Sequence, residues 1–170
     1  MKHIKLFEDF LKLNKLFEFE NQLFAPKGGE IDLDKIPKGK LRIKNDSNIN
    51  KPIGAFWTST HNRRGSDWVD FAKYGFAWGG DLVSALLLKS KSRKVLHIKN
   101  DRDYQKAYEQ FPNDDSGKEW LDWESLSKKY DAVHISDSAL YNDNLWGWDV
   151  DSTAWFNMQN LEIDKIIELN

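Results

Sequence analysis

Cysteine is absent from this 170-residue chain. The absence excludes disulfides, thiolate metal sites and a cysteine nucleophile together, and it suits a reducing cytoplasm. Long apolar runs are absent as well. The stretch Ala85-Leu86-Leu87-Leu88 falls far below the roughly 20 apolar residues of a membrane span, so no membrane partner is expected. Near the start, Lys2 and Lys5 are followed by Glu8 and Asp9 with no apolar core, which is not the pattern of a secretion signal. Charge of one sign is also lacking. A formal net charge of -2, with 31% charged residues, gives no field that would draw nucleic acid or an anionic membrane. Lys89, Lys91, Arg93 and Lys94 cluster, but acidic residues follow, and the run reads as a solvated edge.

Two site classes are missing too. Gly79-Gly80 has neither the spacing of a phosphate loop nor a following Lys-Ser/Thr. His3, His61, His97 and His134 stand far apart and show no metal-ligand spacing, so no metal is expected. His97 and His134 each lie in an apolar-His-Ile pattern and read as paired polar residues on one sheet face.

What the chain has is aromatic surface. Aromatics make up 14% of the residues, 8 of them Trp, in a chain whose mean hydropathy is -0.68. Large rings in a polar chain fill a core or wall a planar ligand. Hydrophobic spacing predicts an amphipathic helix over 3–20, carried by Ile4, Phe7, Phe10, Leu11, Leu13 and Phe17. Ala25-Pro26-Lys27-Gly28-Gly29 breaks it off, so residues 1–24 read as an appendage and 25–170 as one domain. Alternation predicts strands at 41–44, 53–60, 94–98, 132–135, 152–156 and 161–169. Helices are expected from Ser66-Asp67 onward, over 103–111 and over 118–130, with Trp120 and Trp123 in the core. Residues 82–88 fit either a strand or a helix. Strands and helices do not alternate strictly, which makes the class α+β.

Three segments could carry chemistry. Arg42 lies on an early strand, and a guanidinium suits a diphosphate. Phe56-Trp57-Thr58-Ser59-Thr60 ends a strand in hydroxyls, which can bond a ribose or orient another side chain. Asp149-Val150-Asp151 places two carboxylates at i, i+2 on a strand, where they face the same side, ahead of an aromatic strand. Like charges so close push one pKa up unless a cation or a donor intervenes, so the pair is expected at a cleft or in solvent. Each segment also has a plain reading: a surface arginine, a helix cap, a solvated loop.

Taken in order, these segments resemble the ADP-ribosyltransferase superfamily. The tail Thr153-Ala154-Trp155-Phe156-Asn157-Met158-Gln159-Asn160-Leu161-Glu162-Ile163, preceded by Tyr130-Asp131-Ala132-Val133, is similar to the closing half of its small members. The family's last catalytic residue is usually Glu, where this chain has Asp149 and Asp151, and Leu41-Arg42-Ile43-Lys44 departs from its early-strand motifs. The resemblance implies a split β-sheet core with peripheral helices, and NAD as substrate for transfer to a macromolecular, chiefly protein, acceptor. It implies Asp151 first and Asp149 second as the catalytic carboxylate, Ser59 as a positioning group and Arg42 as the phosphate or ribose ligand. Thr58 and Thr60 join the cofactor site, and Trp57, with Tyr74 or Trp68, would stack on nicotinamide. The opening Met1-Lys2-His3-Ile4-Lys5-Leu6-Phe7 resembles the starts of many small phage proteins, which would place the protein in a host cytoplasm. Two other readings stand beside this one. One is a catalytically silent inhibitor docking through a Trp-rich surface. The other is a nucleotide- or RNA-processing enzyme, which the near-neutral charge disfavours.

Overall fold

A computed structural model describes residues 21–26, 30–74 and 82–169. The helix expected over 3–20 lies outside them. The strands are β1 (Gln22–Phe24), β2 (Lys44–Asn45), β3 (Pro52–Ile53), β4 (Phe56–Thr60), β5 (Ser84–Ser90), β6 (Val95–Ile98), β7 (Ala132–Ile135), β8 (Ser152–Trp155) and β9 (Leu161–Glu168). The helices are α1 (Asp67–Tyr74), α2 (Asp101–Gln110) and α3 (Trp123–Lys129). The fold is α+β. Seven strands form one mixed sheet in the order β6-β7-β8-β4-β1-β5-β9, and β2 and β3 form a separate hairpin. Among the described residues no helix is long and apolar enough to cross a membrane.

Connection lengths account for the topology. β6 and β7 are the parallel pair. Parallel strands need a long crossover, and residues 99–131 supply it with α2 and α3. The other pairings in this sheet are antiparallel. β1 lies inside the sheet between β4 and β5, so the boundary expected after residue 24 falls at the end of a strand of that sheet. The ambiguous stretch 82–88 resolves as β5. Ala85, Leu86, Leu87 and Leu88 are all buried, which is the continuous apolar run of a strand covered on both faces.

Three expectations shift. The helix drawn over 118–130 starts only at Trp123 because its N-terminus is capped twice. Asp122 accepts the Ser125 amide, and Asn45 Oδ1 accepts the Trp123 amide at 2.7 Å. Such caps are worth about 1 kcal/mol each. Upstream, Leu121 instead bridges Pro112. The strand drawn over 41–44 shrinks to β2, because Leu41 donates its amide to the Phe156 carbonyl at 2.7 Å and runs beside the end of β8. The strand drawn over 53–60 is cut into β3 and β4 by Gly54, whose φ is +86°. A Cβ there would run into the Arg42 carbonyl oxygen. Gly54→Ala should therefore cost about 2 kcal/mol or more, read as a lower urea midpoint at unchanged m-value.

Register sorts the side chains, since cross-strand partners share a face. His97, His134, Thr153 and Thr58 are successive partners across four strands. The two histidines are thus neighbours as expected, with ring centroids 5.4 Å apart. Leu96, Val133, Ala154 and Trp57 form the adjacent row on the opposite face. On the histidine face, Phe56, Leu86, Leu88, Trp155 and Met158 pack beneath Ile31, Ile36 and Leu41. On the other face there are two patches. α2, α3 and Trp148 cover Ile98, Val133, Ile135 and Ala154. Val69 and Trp68 of α1 pack with Leu23 and Ala85.

Candidate functional site

The two coverings of the second face leave a gap over the middle of the sheet, and a cavity of about 460 Å³ occupies it. Leu23, Trp57, Ser59 and Ser152 from β1, β4 and β8 form its floor. Trp68 of α1 stands on one side; Asp46, Ile49 and Lys51 of the β2–β3 loop and Pro52 of β3 stand on another, with Asp149 and Val150 beside them. The size falls within the range of roughly 300–1,000 Å³ typical of small-molecule sites.

Each wall is held by specific contacts. Trp57 meets Trp148 edge to face at 4.8 Å between centroids, and Trp148 in turn lies 5.7 Å from Trp123. Trp148 Nε1 donates to the Asn50 carbonyl at 2.9 Å. Trp68 stacks on Phe71 at 5.9 Å, and its Nε1 reaches the Ala25 carbonyl at 3.4 Å. Ser59 and Ser66 hydroxyls are in direct contact, joining β4 to the start of α1. Thr58 points to the opposite face, where its hydroxyl donates to Gln22 Oε1 at 2.5 Å and accepts from Trp155 Nε1 at 2.8 Å. The β2–β3 loop is pinned by two asparagines. Asn45 caps α3, and Asn50 is 2% exposed with both ends of its amide bonded. Lys51, the next residue, is half-buried with its ammonium 5.3 Å from the Trp57 ring centroid and 5.9 Å from that of Trp148. Burial lowers its pKa, against the opposing pull of the Asp149 carboxylate.

The structure brings together part of the expected site. Trp57, Thr58, Ser59, Trp68 and Asp149 all line the cavity. Arg42 and Asp151 do not, nor does Thr60. Arg42 is exposed, and its carbonyl backs onto Gly54. The side chain of Tyr74 lies outside the described residues. The two aspartates separate because β8 begins only at Ser152. Residues 149–151 are loop, where the period-two rule for strands has no hold. The tryptophans divide in the same way. Trp120 and Trp123 are core as expected, and so are Trp148 and Trp155, while Trp57 is half-buried at the cavity and Trp146 is exposed.

Asp151 serves the opposite face. Its carboxylate accepts the Thr60 amide at 3.3 Å and lies 3.4 Å from His134 Nε2, while His134 Nδ1 lies 3.0 Å from Thr153 Oγ1. Burial pushes the Asp151 pKa up, but the His134 ring and the Thr60 amide outweigh it and hold the group below the usual carboxylate range. At Asp151 donors do intervene, so the elevation that paired aspartates show without them does not arise. It occurs instead at Asp67, which burial first, and then the charges of Asp137 and Asp151, push upward. A carboxylate held low stabilises the fold above its unfolded pKa, and the contribution is lost as pH falls through the folded value. Asp151→Asn should remove that loss. The gap between wild-type and variant urea midpoints should be present above the ordinary carboxylate range and narrow as acid protonates Asp151.

Sequence reading missed Asp46, Lys51 and Ser152 in the lining and the Asp151–His134 pair. The loop 45–52 carries no periodicity that could have marked it. Among the described residues no group of three or more His, Asp or Glu could hold a metal. Comparison with protein-family models, with curated proteins and with solved structures returned no match.

Proposed function

We propose that the cavity binds the nicotinamide–ribose end of NAD and that the protein transfers ADP-ribose to a protein acceptor. The observation that carries the reading is the convergence of Trp57, Trp68, Ser59 and Asp149 on one cavity. An aromatic wall favours a cationic ring by about 1 kcal/mol. When the C1′–nitrogen bond of NAD breaks, nicotinamide leaves with the bonding electron pair and positive charge develops on the ribose, as in glycoside hydrolysis. A carboxylate beside that centre stabilises it. The acceptor nucleophile then bonds to C1′ and gives up its proton to solvent. Asp149 takes the carboxylate role, because it lines the cavity and Asp151 does not. Ser59 and Ser152 offer hydroxyls to the ribose, and Asp151 holds the ends of β4 and β8 together. The finer fold expectation has support in β4. It pairs with β8 through Phe56, Trp57 and Thr58 and with β1 through Ser59 and Thr60, so it joins two half-sheets.

Labelled NAD incubated with the protein and bacterial lysate tests the reading. Free nicotinamide and label on a protein band are expected. No nicotinamide release in any of several lysates sinks the reading. A second reading has one observation in its favour. Tyr141 and Trp146, on the loop after β7, are 90% and 73% exposed, and aromatics of that kind are common anchors of protein interfaces. Capture of a partner protein that Tyr141→Ala abolishes, without any NAD cleavage, would favour a binding inhibitor instead.

A further inference from the structure

We infer that Lys51 is the anion-binding residue of the cavity and that its ammonium receives the diphosphate of the dinucleotide. The inference rests on the NAD reading above, and it transfers to Lys51 the role that the sequence resemblance would give to Arg42.

Three observations carry it. First, Lys51 is placed rather than free. It follows buried Asn50 and precedes buried Pro52, and its amide donates to the Ile49 carbonyl at 2.9 Å. Its stem runs beside Gly147, where an added Cβ would lie 3.8 Å from Lys51 Cε. Lys51 lines the cavity, and its ammonium lies over Trp57, which lines it too. Second, the ammonium has no hydrogen-bond or ion-pair partner among the described residues. Two lysines on the surface do close such pairs: Lys89 reaches Asp164 at 2.8 Å, and Lys91 reaches Glu162 at 2.7 Å. Burial of the residue lowers the Lys51 pKa, so holding that charge without an acceptor carries a cost. The Trp57 and Trp148 rings offset part of that cost, but a ring face accepts no directed hydrogen bond of normal strength.

Third, the charges are arranged like the ligand. Asp149 lines the same cavity and acts on Lys51 through its charge without closing a salt bridge. In NAD the carbon that becomes positive and the first phosphate are separated by a single ribose. A carboxylate for the former and an ammonium for the latter stand beside each other at one wall, over a floor that carries serine hydroxyls. Arg42 cannot supply this contact because it is exposed outside the lining.

Tryptophan fluorescence reports binding directly, since Trp57 and Trp68 line the site. Wild type, Lys51→Met and Lys51→Arg are titrated with NAD and with nicotinamide riboside, which has the same ring and sugar but no phosphate. Urea midpoints verify that both variants are folded. Lys51→Met should weaken NAD binding by about tenfold or more. Riboside binding should change by less than about twofold, and Lys51→Arg should retain most of the NAD affinity. Equal weakening of both ligands, or of neither, overturns the assignment. Where wild type binds neither nicotinamide compound, the NAD reading itself has failed, and inorganic pyrophosphate decides the anion site. Binding lost in Lys51→Met supports it, and no binding by wild type overturns it.

Discussion

Asn50→Ala is expected to lose about 3 kcal/mol or more of stability, a large part of what holds a domain of this size together. The side chain is a junction between segments far apart in the chain. Its Nδ2 donates to Tyr104 Oη and to the Asn144 carbonyl, both at 2.8 Å. Its Oδ1 accepts the Leu121 amide at 3.1 Å and Trp123 Nε1 at 3.0 Å. Alanine leaves those partners buried without a counterpart. Leu121 and Trp123 are almost wholly buried, so water cannot readily replace the lost acceptor. Asn50→Asp separates the two halves of the effect. It keeps the acceptor but loses both donors and buries a charge, so it should be as damaging at neutral pH. Part of its stability should return in acid, as the carboxyl gains a proton it can donate. Urea unfolding followed by tryptophan fluorescence reads both variants. A loss under about 0.5 kcal/mol for Asn50→Ala would mean that the β2–β3 loop is not held through this amide.

Asp149→Asn should lower the rate of nicotinamide release by about a hundredfold or more, with NAD affinity changed far less. The amide keeps size and hydrogen bonding but removes the charge that the proposed reaction sets against the developing cation, so its effect belongs to the transition state. The comparison with Asp151→Asn is the informative part. Asp151 points to the opposite face, toward His134 and Thr60, and its replacement should change the rate by less than about threefold once both proteins are folded. Single-turnover release measured by chromatography distinguishes the two. A larger loss from Asp151→Asn than from Asp149→Asn would return the catalytic role to the position favoured by the sequence and remove the cavity from the mechanism.

The sheet was readable where local pattern and tertiary demand agree. β6 and β7 repeat an apolar-His-Ile pattern, and register sets those residues side by side. α2 begins where Asn100 can cap it, accepting the Asp103 amide at 3.1 Å. The site was readable in part for the same reason: Trp57 and Ser59 share a strand face, so their common direction follows from their spacing. Asp149 and Asp151 show where that logic stops, because outside a strand a two-residue spacing fixes no direction. Asn50 and Lys51 show a different limit. Their importance comes from partners in α2, α3 and the loop before β8, and nothing within the segment 45–52 signals those contacts. Arg42 was singled out for its chemistry alone, and its neighbourhood, with Gly54 tucked against its carbonyl, is structural.

The place of β1 has a consequence for the order in which the protein can be made. Gln22–Phe24 leaves the ribosome before β4 and β5, the strands that flank it. Three residues cannot hold a sheet alone, so β1 waits until Ser90 has been synthesised before both of its edges are satisfied. β8, which lies on the far side of β4, comes much later still. During translation the chain therefore carries unpaired strand edges for most of its length, the condition that invites aggregation and chaperone binding. The cavity floor draws on β1, β4 and β8 together, so a ribosome stalled before Ser152 holds a chain in which the cavity has no complete floor.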